Sequence, residues 1–77
     1  MKGCWLVVVD VAPAPVRDAV DRALRDFGFV EVMPCVYRNA WGDPQPGKLR
    51  AALCRAKRRG VGRIFMARVR PSSIVDI

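Results

Sequence analysis

Histidine is absent from this 77-residue chain. That removes the usual structural zinc sets, and it removes the base that would activate a cysteine nucleophile. Cysteine is sparse and scattered: Cys4, Cys35 and Cys54, with no CxxC pair. An odd, widely spaced set argues against a disulfide framework and fits buried thiols in a reducing compartment. No apolar run approaches the roughly 18 residues of a membrane span. The run 4–9 after Lys2 ends at Asp10, too early for a signal segment. The expectation is one soluble, cytoplasmic domain over 1–77. Acidic residues are also scarce in one half. Residues 40–77 carry nine Lys or Arg and only two acids, whereas residues 1–39 balance five against five. The net charge of +7 therefore belongs to the second half. A one-sided cationic excess points to a polyanion, most often nucleic acid.

What is present is ordered by period. Residues 4–11, CWLVVVDV, are β-branched and short, so they read as a strand. Pro15 suits a first helical turn. Val16, Ala19, Val20, Ala23, Leu24 and Phe27 then form one apolar stripe at helical spacing, and Gly28 ends it. FVEVMPCVYR (29–38) reads as strand with a break at Pro34, and 35–41 as a second short strand. Residues 42–47 are a loop. A second helix over 48–59 buries Leu49, Ala52, Leu53 and Ala56. A last strand covers 63–70, and SSIVDI after Pro71 is a candidate for a further short strand, an exchange or docking segment at 71–77. The order β-α-β-β-α-β predicts an α+β, ferredoxin-like domain with an antiparallel sheet and both helices on one face.

The first strand is apolar on both sides. Trp5, Val7, Val9 and Val11 alternate with Cys4, Leu6, Val8 and Asp10. Two helices cover one sheet face, so the other needs a partner, and a second copy on a two-fold axis is the simplest. A homodimer packed sheet to sheet is expected. Asp10 lies on that uncovered side. Two copies of it near an axis would repel unless one took a proton or a divalent cation such as Mg2+ bound between them. Paired carboxylates with a metal would suit phosphodiester hydrolysis. Alternatively, Asp10 only hydrogen-bonds the turn that follows it.

LVVVDV (6–11), followed by a helix ending FGFVEVMPCVYRNAW (27–41), resembles the CRISPR-associated protein 2 family, the small adaptation subunits that partner the CRISPR integrase. Gly28 takes the place of the family's glycine, Val32 that of its valine, and Cys35, Val36 and Tyr37 that of a Ser-Val-Phe run. The chain departs from the family at Val9, often a tyrosine, and at Arg38, often a glutamate. The resemblance implies a dimeric DNA-binding scaffold for spacer acquisition in antiviral defense, holding duplex DNA between integrase dimers. Members have also been assigned metal-dependent endonuclease activity on RNA or DNA, which would carry over to Asp10 as the catalytic and metal-binding residue. A ferredoxin-like regulatory or toxin-type domain is the remaining alternative. Arg17, Arg38, Arg50, Lys57, Arg58 and Arg59 are the candidate DNA contacts, with Arg50, Lys57 and Arg58 on one arc of the second helix. Trp5, Tyr37, Trp41 and Phe65 serve either as stacking platforms or as core.

Overall fold

A computed structural model describes residues 4–39 and 44–77. Its elements are β1 (Cys4–Ala12), α1 (Ala14–Asp26), β2 (Phe29–Met33), β3 (Val36–Asn39), α2 (Pro46–Lys57) and β4 (Val61–Val69), followed by a 3-10 turn over Pro71–Ser73. The four strands form one antiparallel sheet in the order β2-β3-β1-β4. This is the ferredoxin-like arrangement that the element order predicts.

The core lies between the sheet and the helices. Val7, Val9 and Val11 of β1 are buried with Phe29 and Tyr37 from β2 and β3, Val20 and Leu24 from α1, and Leu49 and Leu53 from α2. Ile64 and Met66 stand opposite Val9 and Val7 in the β1–β4 ladder and pack against this cluster. Because side chains alternate along a strand, the intervening residues face the other way. That side carries Leu6, Val8 and Asp10 on β1, Val36 and Arg38 on β3, Val30 on β2, and Arg63 and Phe65 on β4. Val8 is 40%, Val30 42% and Phe65 61% exposed. The helix-free face is thus apolar and open, rimmed by Arg38, Asp10 and Arg63.

Local rules explain the boundaries. Pro15 and Pro46 both lie in first helical turns, where the missing N–H is not needed. After α1, Gly28 adopts φ 85°, and its N–H donates to the Arg25 carbonyl at 3.0 Å. This is the left-handed glycine ending that helices favour. The turn between β2 and β3 is Pro34-Cys35, with Cys35 at φ 66°. The Cys35 carbonyl accepts from the Val9 N–H at 2.8 Å, and its own N–H donates to the Glu31 carboxylate at 3.0 Å. These two bonds tie the hairpin to β1 and hold a backbone shape that a non-glycine residue adopts at a cost of about 1–3 kcal/mol.

Several boundaries differ from the sequence expectation, among them α2 ending at Lys57 rather than 59 and β4 at Val69 rather than 70. α2 starts at Pro46 rather than 48, since Pro46 takes the same first-turn role as Pro15. β4 starts at Val61 rather than 63, because Gly62 lies within the ladder opposite Val11 instead of outside it. Residues 74–77 form no strand within the chain. Pro71 opens a 3-10 turn there, with the Ile74 N–H bonded back to the Pro71 carbonyl at 3.1 Å. The end of the second short strand expected over 35–41, including Trp41, and the start of the 42–47 loop lie outside the described residues.

Candidate nucleic-acid interface

The six candidate cations fall into four places. Arg58 and Arg59 follow the last turn of α2. Together with Arg55 they line a cleft of about 300 Å³ against Pro15, Val16 and Ala19 of α1. No acidic side chain lines that cleft. Arg50 and Lys57 instead lie along a different arc of α2 and line a groove of about 540 Å³ toward β4, with Pro46, Gly47, Leu53, Cys54, Ile64 and Met66. The arc predicted to unite Arg50, Lys57 and Arg58 is therefore divided between two sides of the helix. Arg55 stands with Arg58 and Arg59.

Arg38 is on the helix-free face, where its Nε donates to the Cys4 Sγ at 3.1 Å. Arg17 is exposed on α1 and lines a small polar cleft with Asp18, Asp21, Arg25, Glu31, Cys35 and Tyr37. That cleft holds a network the sequence did not reveal. The Tyr37 hydroxyl donates to Asp21 Oδ1 at 2.5 Å, and Arg25 Nε donates to Asp21 Oδ2 at 2.9 Å. The Arg25 guanidinium reaches toward Glu31 at 3.9 Å. Arg25, and next Tyr37, hold the Asp21 carboxyl below the usual carboxylate range. Burial, reinforced by the bond to Asp21, pushes the Tyr37 phenol well above its ordinary value. The Asp21–Arg25 pair was visible as an i,i+4 spacing on a helix. The contact to Tyr37 required the sheet register, which puts Tyr37 opposite Val7 on the helix side.

Asp10 ends up exposed on the helix-free face, directly across the β1–β4 ladder from Arg63. This answers the cost that a carboxylate next to an apolar run would otherwise carry: it is not buried, and its cross-strand neighbour has the opposite charge. Within one chain it is a poor magnesium cradle. It offers one carboxylate beside a guanidinium, and among the described residues no group of three or more His, Cys, Asp or Glu could hold a metal. The aromatics divide similarly. Tyr37 is core, Trp5 is half-buried on the helix side, and only Phe65 among the described candidates projects from the open face.

No family model matches this chain, and no curated protein or solved structure does either. Among the described residues no helix is long and apolar enough to cross a membrane. What the arrangement offers chemically is positive charge on fixed elements. An acid-free arginine cleft lies on the helix layer, and a broad apolar sheet face lies opposite.

Proposed function

We propose that this chain is one half of a symmetric dimer that holds duplex DNA through its phosphates. In this reading it serves as the scaffold subunit beside a CRISPR integrase, as in the CRISPR-associated protein 2 family it resembles. The observation that carries the reading is the Arg55, Arg58 and Arg59 cluster, which no acid neutralises, on the layer facing away from the open sheet. Pairing two copies through Leu6, Val8, Val30 and Phe65 covers the apolar face and sets two such clusters on one particle. Arg38 then lies under the dimer and the helix-layer arginines meet phosphate. Phosphate contacts of this kind carry little sequence preference and weaken with salt.

The test is titration of a fluorescent 30-base-pair duplex at two salt concentrations. Tight binding at low salt that falls steeply as salt rises, and that the combined Arg55→Ala, Arg58→Ala, Arg59→Ala variant loses, is the expected result. Absence of binding at low salt removes the reading and leaves the regulatory or toxin-type alternative.

The endonuclease alternative draws on Asp10 lying exposed on the face through which two copies would meet. It requires the second copy's carboxylate, since one chain supplies too few oxygen ligands. Cleavage with magnesium that disappears in Asp10→Ala would favour it, and cleavage that persists would assign it to a contaminant.

A further inference from the structure

The groove between α2 and β4 has features that phosphate recognition does not use. Its interior is apolar, with Leu53, Ile64 and Met66, and its rim carries Arg50 and Lys57 with no acid among the lining residues. It lies on the side of the sheet where β4 is the outermost strand. Among the described residues no strand pairs with the outer edge of β4, so a nine-residue strand presents unused N–H and C=O groups there. A free edge selects an extended backbone, and an apolar pocket beside it selects alternate side chains. Nucleic acid would leave both unused.

We infer that this groove and the β4 edge together form a docking site for an extended segment of another protein, which adds as a strand and presents the pattern acid-x-apolar-x-acid. The spacing follows from the two elements. Arg50 and Lys57 are seven residues apart on one arc of α2, about 10 Å along the axis. In an added strand, inward-facing side chains at i and i+4 are about 13 Å apart, with one more inward position between them. Long cationic side chains span the difference. The two outer inward positions meet Arg50 and Lys57, and the middle one enters the apolar interior over Leu53, Ile64 and Met66. Charge complementarity chooses acids for the outer two. The inference does not rest on the DNA-binding reading, and it assigns Arg50 and Lys57 to a protein partner rather than to phosphate.

The probe is the labelled peptide acetyl-Ser-Glu-Thr-Leu-Thr-Glu-Ser-amide, followed by fluorescence anisotropy with the full chain. Its control, acetyl-Ser-Thr-Glu-Leu-Glu-Thr-Ser-amide, has the same composition but moves both acids to the opposite strand face. The first peptide is expected to bind at least tenfold more tightly than the control. Arg50→Glu, at an exposed position, and Lys57→Glu, at a half-buried one, are each expected to weaken it about tenfold while the circular dichroism spectrum is unchanged. N-methylation of one alternating set of peptide amides should abolish binding, and methylation of the other set should spare it, since only one set faces β4. Four results would overturn the inference. Equal binding of the two peptides denies the acid spacing, and equal tolerance of both methylated sets denies strand addition. No binding up to millimolar peptide denies the site. Tighter binding to a Val75→Asp, Ile77→Asp variant would show that the chain's own 74–77 segment fills the groove instead of a partner.

Discussion

At the scale of single residues, backbone geometry and one polar network set the sharpest constraints. Gly62 has φ 119° inside the β1–β4 ladder, and a Cβ there would run into the Asp10 carbonyl. Gly62→Ala should therefore cost about 2 kcal/mol or more, read as a drop in the urea midpoint. Cys35 is the opposite case, a side chain in a left-handed turn, and Cys35→Gly should be tolerated far better than Cys35→Val. The Tyr37–Asp21 bond links β3 to α1. Tyr37→Phe should lose about 1 kcal/mol, since a part-buried hydrogen bond disappears. The same pair fixes two ends of the pH profile. Asp21 has its folded pKa lowered, so its stabilisation is fully present above the unfolded carboxylate value of about 3.9 and is lost as pH falls below it. Tyr37 has its folded pKa raised, so its stabilisation holds below about 10 and is lost as pH climbs past that value. Thermal melts of wild type and Tyr37→Phe between pH 9 and 11 would check this: the variant's alkaline decline should be shallower.

At the scale of elements, the helices hold the sheet through few side chains. Leu24 and Leu49 are fully buried, one from each helix. Leu24→Ala and Leu49→Ala should each lower stability by about 2–5 kcal/mol in denaturant titrations. In a domain of this size, that could unfold much of the population at 37 °C. Periodicity made these elements legible in the sequence. The α1 stripe from Val16 to Phe27 has the helical period, the run 4–11 is short and β-branched, and the order of such elements gave the topology. Ends were less legible. Pro46 sits in a loop-like run of Gly, Asp, Pro and Gln, and its composition hid a helix start. Glycine normally punctuates elements, yet Gly62 is a ladder residue, paired with Val11. SSIVDI has strand-forming side chains, but Pro71 turns the chain into a 3-10 turn and the segment pairs with no strand of the sheet. The candidate site was legible as charge and not as grouping. The sequence reading puts Arg50, Lys57 and Arg58 on one arc, and packing divides them: Arg50 and Lys57 face β4 while Arg58 and Arg59 face α1.

At the scale of the whole molecule, one layer of helices lies on one layer of sheet, only 16 Å through the shortest axis. A slab this thin leaves its bare side to be covered from outside. If two copies meet there, Phe65→Asp should place a charge in the contact and convert a sedimenting dimer to a monomer, without loss of circular dichroism signal. The DNA-binding reading also fixes a slope. With three helix-layer arginines per copy on phosphate, log affinity against log salt should fall with a slope of about −5. The uneven placing of charge has one more effect. The cations of residues 40–77 ride on α2 and β4, whereas α1, β2 and β3 are close to neutral. Each copy therefore carries a permanent electric moment, pointing from the β2 edge toward β4. A molecule built this way turns before it touches, arriving at any polyanion with the same flank forward.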